Sequence, residues 1–181
     1  MKKIVVFASG GGSSAENLYL YFSKKPNAKV LKLYCNNPEA GVLKRNRINS
    51  LEKLLFNNDE LNSGKILDDL KKLSPDLIVL AGFLKKIPEK IIDHFRNKVI
   101  NIHPSLLPKY KGLDTHNRAI NNNDKYSGCT VHYVTPKLDS GKIILQKKVK
   151  IFKNDNAKSL QKRILKQEHK IYPKALRMVL N

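Results

Sequence analysis

The chain has 181 residues, 41% hydrophobic and 28% charged, with 35 Lys+Arg against 15 Asp+Glu for a formal net charge of +20. That length suits one domain, residues 1–181, with a core that needs neither disulfide nor metal, and no stretch approaches the roughly 18 apolar residues of a membrane span, so a cytoplasmic protein is expected. The positive excess would ordinarily raise nucleic-acid binding, but the cations are overwhelmingly scattered lysines rather than an arginine-rich patch interleaved with aromatics, so no specific nucleic-acid partner is expected.

Lys3–Ala8 is a β-branched and aromatic run that predicts a first strand. The glycines that follow cut its apolar segment too short for a secretory leader. Ser9-Gly10-Gly11-Gly12-Ser13-Ser14 then predicts a turn, and an amphipathic helix follows from about Ala15. Strand, glycine turn and helix open an α/β sheet, and glycines before a helix N-terminus let backbone N–H groups approach a phosphate. The glycine spacing lacks the dinucleotide fingerprint, and a plain tight turn is the commoner reading of three glycines alone. Ala28–Asn36 predicts a second strand, Gly41–Asn49 a short basic helix, and Leu51–Phe56 a third strand. Asn62–Leu73 reads as one helix, with Ile66, Leu67 and Leu70 on one face.

Leu77–Ala81 is wholly apolar and predicts a central parallel strand. Its C-terminal end, Gly82-Phe83-Leu84-Lys85-Lys86-Ile87, lies where such sheets bind ligands. Pro88–Phe95 predicts a helix that feeds the strand Val99–Ile102. Asn101 and His103 stand two apart at that strand's end, on the same side of the sheet, where a carboxamide donor and a proton-carrying imidazole could meet one developing negative oxygen. Alone, Asn-x-His at a strand end is more often a hydrogen-bonded structural pair. His116–Asn121 starts a helix with Asp114 or Thr115 as its cap, and His116 is a secondary site candidate. Cys129–Val134 and Ile143–Val149 predict strands joined by the loop Thr135–Asp139, with His132 assigned to the sheet rather than to chemistry. Asp139 is the third candidate, since a carboxylate beside an imidazole favours its protonated form. Cys35 and Cys129 sit in apolar strand-like surroundings and read as core thiols. From Asn156 a helix with Leu160, Ile164 and Leu165 runs towards Tyr172. Alternating strands and helices predict an α/β fold: an open, mainly parallel twisted sheet with helices on both faces and late antiparallel edge strands.

The stretches KIVVFASGGGSSAENL, PDLIVLAGFLKKI, NIHPSLLPKYKGLDTH with SGCTVHYVTPKLDSG, and KQEHKIYP resemble, in order and at similar spacing, the folate-dependent formyltransferases, most closely their phosphoribosylglycinamide branch in purine synthesis. The resemblance covers nearly the whole chain. It implies a Rossmann-like formyltransferase that uses 10-formyltetrahydrofolate as co-substrate, glycinamide ribonucleotide as acceptor and no metal, as a monomer or homodimer. It implies Asn101, His103 and Asp139 as catalytic residues. Gly12, Ser13 and Ser14 are implied to hold the nucleotide phosphate, and Leu165, Lys166, Gln167 and Glu168 to make a second set of nucleotide contacts. The folate positions are Leu84, Lys85, Lys86 and Ile87, with Asn101 and the loop Thr135, Pro136, Lys137, Leu138 and Asp139. Ser14 departs from a frequent Asn and Lys85 from a frequent Arg, which keeps charge but loses bidentate geometry. Methionyl-tRNA formyltransferases and formyltetrahydrofolate deformylases share the catalytic pattern but add a further domain, for which 181 residues are too few.

Overall fold

The apolar runs become strands in the computed structural model, which describes residues 1–181. These are β1 (Lys2–Ala8), β2 (Ala28–Cys35), β3 (Glu52–Leu55), β4 (Leu77–Leu80), β5 (Val99–His103), β6 (Tyr126–Tyr133) and β7 (Ile143–Lys150). They form one sheet in the order β3-β2-β1-β4-β5-β6-β7. β1 pairs in parallel with β2 and β4, β2 pairs in parallel with β3, and β6 and β7 are antiparallel. This is the expected α/β class, with its antiparallel pair at the end of the sheet. Six helices accompany the strands: α1 (Ser13–Phe22), α2 (Asn58–Ser63), α3 (Lys65–Leu73), α4 (Glu89–His94), α5 (Thr115–Asn121) and α6 (Ala157–Leu180). None is long and apolar enough to cross a membrane. The chain divides into two compact units, Met1–Ile100 with Leu180, and Asn101–Val179 with Asn181.

In the first unit, Ile4–Ala8 of β1 and Leu77–Ala81 are buried, as strands covered on both faces must be. Phe7 stacks on Tyr34 at 4.6 Å between ring centroids and meets Phe83 edge-on at 5.4 Å, which fastens the segment after β4 to the centre of the sheet. A buried Lys32 is neutralised by Glu52 at 2.8 Å and Asp69 at 3.0 Å, and Tyr34 also donates to Asp69. The predicted helix 62–73 is instead two helices, because Gly64 adopts φ 104 between them and Asn57 opens α2 with a capping box to Glu60. The predicted helix 41–49 is two short 3-10 turns, Gly41–Lys44 and Asn46–Ile48, separated by Arg45 in an extended conformation. Its sequence has too few apolar positions to bury a longer helical face.

In the second unit, β6 and β7 form a hairpin that pairs Tyr126 with Lys150, with a register shift between Val131 and His132. β7 lies at the sheet's edge; Ile143, Gln146, Lys147, Lys148 and Lys150 are exposed, Ile144 and Leu145 half-buried, and Val149 buried. Asp114 occupies the N-cap position of α5 at φ 57, without a side-chain capping bond. α6 begins with a capping box between Asn156 and Ser159, and Asp155 pairs with Arg163. It continues past the expected end at Tyr172, through Pro173, to Leu180. Burial of Ile171, Tyr172, Ala175 and Leu176 gives the last turns a packing reason to persist despite the proline.

Candidate active site

Strand alternation turns Asn101 and His103 of β5 to the same side, with Asn101 half-buried and His103 only 6% exposed. The turn after β6 supplies Asp139, whose backbone has φ 43 and whose side chain is 8% exposed. Asp139 Oδ2 accepts the Gly112 N–H at 2.9 Å and lies 3.5 Å from His103 Nδ1. The other ring nitrogen of His103, Nε2, is 2.8 Å from the carbonyl oxygen of Tyr110. A carbonyl can only accept, so this contact places a proton on Nε2. Of the three residues expected to act together, His103 and Asp139 therefore meet directly, and Asn101 is joined to Asp139 through the ring of His132.

His132 completes the cluster from β6, where it is 2% exposed. Its Nδ1 donates to the Tyr133 carbonyl at 2.8 Å, which leaves Nε2 as acceptor for the Asn101 amide at 3.3 Å. Burial, the largest influence, lowers the His132 pKa below 6.5, in keeping with a neutral ring. The same Nε2 lies 3.6 Å from Asp139 Oδ1. His132 thus orients Asn101 with one amide hydrogen and leaves the second for another acceptor. The expectation that His132 belongs to the sheet holds for its backbone, but its ring sits among the candidate residues. The pairing shifts register between Val131 and His132, where Ile144 of β7 is passed over.

The Tyr110 carbonyl is itself held in place. Tyr110 has φ 56, donates its hydroxyl to Asp124 at 2.8 Å, and lies under the Arg118 guanidinium at 5.1 Å. Lys111 donates to Ser140 at 2.5 Å, joining the segment before Gly112 to the Asp139 turn. A cleft of about 130 Å³ opens there, lined by Leu107, Pro108, Lys111, Asp139, Gly141 and Ile143 among others. Thr135, Pro136, Lys137 and Leu138 are exposed on the turn. His116 is half-buried with its Nδ1 unpartnered, and burial lowers its pKa.

Leu165, Gln167 and Glu168 are half-buried on α6, and Lys166 is exposed. Burial raises the Glu168 carboxyl to about 7. Burial, aided by the nearby Glu168 charge, pushes the Cys129 thiol up to about 12, which suits the core role expected of that cysteine. The two thiols are free and buried, and no group of three or more His, Cys, Asp and Glu side chains is disposed to hold a metal ion.

The remaining candidates lie in the first unit. Gly12 is the N-cap of α1 at φ 74, and a Cβ there would run into Val42, so both conformation and space call for glycine. Ser13 and Ser14 form the first turn of α1. Ser9 Oγ donates to Asn36 at 2.6 Å and accepts from the Leu84 N–H at 3.0 Å, so the end of β1 holds the segment 84–87. Leu84, Lys85 and Lys86 are exposed there, and Ile87 is 2% exposed.

The formyl transferase family matches residues 2–176 of the chain. Among curated relatives, the phosphoribosylglycinamide formyltransferase of Escherichia coli (strain K12) is 36% identical over 176 residues, covering 94% of this chain and 83% of that protein. The one from Haemophilus influenzae is 38% identical over 179 residues, covering 96% and 84%. Among solved structures, phosphoribosylglycinamide formyltransferase from Brucella melitensis matches with a TM-score of 0.92 at 36% identity, covering 99% of this chain and 95% of that one. The one from Anaplasma phagocytophilum matches with a TM-score of 0.91 at 37% identity, covering 99% and 87%.

Proposed function

We infer the reaction from one premise: this chain belongs to the formyl transferase family. It is a transferase that moves the formyl group of 10-formyltetrahydrofolate to the glycinamide amine of 5'-phosphoribosylglycinamide, in purine biosynthesis. In this reading residues 1–181 act as one formyltransferase domain. The protein works in the cytoplasm, as a monomer or homodimer, on these two small molecules rather than on nucleic acid or a membrane.

The reading assigns catalysis to Asn101, His103 and Asp139, and the observation that supports it is Asp139 Oδ2 standing 3.5 Å from His103 Nδ1. The amine nitrogen attacks the formyl carbon and a C–N bond forms, giving a tetrahedral oxyanion. The free amide hydrogen of Asn101 and the Nε2–H of His103 donate to that oxygen. His103 exchanges the neutral Tyr110 carbonyl for a charged acceptor, and charge-assisted hydrogen bonds are roughly twice as strong as neutral ones. As the bond to folate N10 breaks, the attacking amine loses a proton and N10 gains one. Asp139 orients His103 and takes part in this transfer through water. Gly12, Ser13 and Ser14 hold the nucleotide phosphate, while Leu165, Lys166, Gln167 and Glu168 contact its ribose or glycinamide end. Leu84–Ile87 and the turn Thr135–Asp139, with Asn101, receive the folate.

The test incubates purified protein with glycinamide ribonucleotide and a 10-formyl folate and follows the deformylated pterin. Pterin appearing only when the nucleotide is present is the expected result. Formate release without nucleotide would indicate a deformylase instead.

A further inference from the structure

Gly10, Gly11 and Gly12 form the least restrained kind of segment a chain can contain, because glycine loses the most backbone freedom on ordering. Side-chain packing does not restrain the first two, since a Cβ at Gly10 or Gly11 would have nothing within 4 Å. Order comes instead from the segment 41–45. The Val42 N–H donates to the Gly10 carbonyl at 3.0 Å, and Arg45 Nε donates to the Gly11 carbonyl at 2.5 Å. Arg45 Nη1 also donates to Glu16 of α1 at 2.7 Å, so one guanidinium spans the loop and the helix the loop enters. The Arg45 and Glu16 side chains are 30% and 16% exposed, so this pair is better shielded than a fully solvated one. With the Gly10 and Gly11 carbonyls drawn towards 41–45, and Gly12 O accepting the first helical bond from Glu16, the N–H groups of Gly12, Ser13, Ser14 and Ala15 have no acceptor within the chain. Successive unpaired N–H groups at a helix start make a concavity suited to an anion.

We propose that Arg45 is the positioning residue of this loop: its guanidinium fixes the Gly11 carbonyl and the start of α1, so that the loop's N–H groups are already arranged when the nucleotide's phosphate arrives. This rests on the reading that the loop holds that phosphate. Arg45 itself need not touch the ligand, since its Nε and Nη1 are engaged by Gly11 and Glu16. Lysine cannot copy the planar fork that reaches both acceptors from one side chain.

The test is steady-state kinetics on the full chain with each substrate varied separately, and with inorganic phosphate as a competitor of the nucleotide. In Arg45→Ala the KM for the nucleotide and the inhibition constant of phosphate rise together by about tenfold, the size expected for a lost charge-assisted hydrogen bond. The KM for the folate stays at its wild-type value. Arg45→Lys falls between wild type and Arg45→Ala. Lys44→Ala is the control: it removes a charge from the same segment but only an exposed 4.0 Å pair with Glu39, and it leaves both constants unchanged. An unchanged nucleotide KM in Arg45→Ala overturns the proposal, as does an equal rise in both KM values, which marks a general loss of structure. If thermal melts show that Arg45→Ala is unfolded, Arg45→Lys decides on the same two criteria. A wild-type chain without nucleotide-dependent formyl transfer overturns the functional reading first and the proposal with it. An active wild type with an indifferent Arg45 overturns the proposal alone.

Discussion

The loop before α1 and the cluster around Asp139 are made of different materials. In the loop, carbonyls of Gly10 and Gly11 are held by Val42 and Arg45, and the unpaired donors are main-chain N–H groups. Around Asp139, the contacts are between side chains of Asn101, His103, His132 and Asp139, with Tyr110, Gly112 and Tyr133 adding one backbone group each. Backbone amides do not titrate in the ordinary pH range, whereas imidazoles do so near neutrality and carboxylates in mild acid. The first region therefore responds chiefly to backbone conformation, whereas the second also carries a titrating ring, His132, whose pKa burial lowers.

The sharpest way to break this contrast is to truncate the side-chain donors. Asn101→Ala and His103→Ala are each expected to lose about 3–4 kcal/mol of transition-state stabilisation, a hundredfold or more in kcat, with melting temperatures close to wild type. Near-normal turnover in either would falsify the assignment.

Next is the half-buried carboxylate of α6. Glu168 has its folded-state pKa raised from 4.5 to about 7, so the native chain binds more protons than the unfolded one between those values. Stability is complete below the unfolded value and falls as pH rises towards about 7. Glu168→Gln removes that loss and should stabilise the chain above pH 7 by on the order of 2–3 kcal/mol, with no gain near pH 4. His132 works in the other direction, because its lowered pKa costs stability as pH falls below 6.5. Urea melts across the pH range measure both slopes, and a pH-independent Glu168→Gln effect would contradict the Glu168 account.

The loop is expected to respond to geometry instead. Gly12→Ala meets both φ 74 and Val42, and should lower stability by about 1–3 kcal/mol, equally at every pH. The smallest effect should come from Gly10→Ala, where space is open and φ is ordinary. That change should be neutral or stabilising by about 0.4–1 kcal/mol through the unfolded chain. Equal destabilisation by the two alanines in parallel melts would remove the distinction between them.

The sequence was legible where a local pattern carries the physics. The β-branched runs at β1, β4 and β5 gave strands close to those observed, and alternation alone set Asn101 and His103 side by side. It was less legible where tertiary packing overrides local preference. Gly64 breaks a helix whose apolar periodicity runs straight through it, and Pro173 does not end a helix whose last turns are buried. Asp139 was a candidate from its turn and its chemistry, and the family resemblance strengthened the tie to His103, since nothing local says where a turn 36 residues further on will fold. His132 escaped because what matters is that β6 lies beside β5, which brings its ring to Asn101, and no single strand's sequence displays its neighbour. Arg45 escaped for a similar reason: residues 41–49 look like a helix, and its contacts with Gly11 and Glu16 lie about 30 residues away in the chain.

The exposed margin of β7 has a consequence for how the molecule behaves in a crowd. A strand with one unpaired side is a template onto which a neighbour's strand can zip, and long flat margins of this kind seed polymers. Here the margin bears Lys147, Lys148 and Lys150, and the Lys148 ammonium lies 3.7 Å from the centre of the Tyr126 ring on the adjoining strand. A second copy arriving in the same register would press its own ammonium groups against these, inside a pair of molecules each carrying +20. The lysine surplus thus supplies mutual repulsion where open hydrogen-bonding groups most invite association. Salt weakens that repulsion, shrinking its reach to about 8 Å at physiological ionic strength and about 3 Å at 1 M.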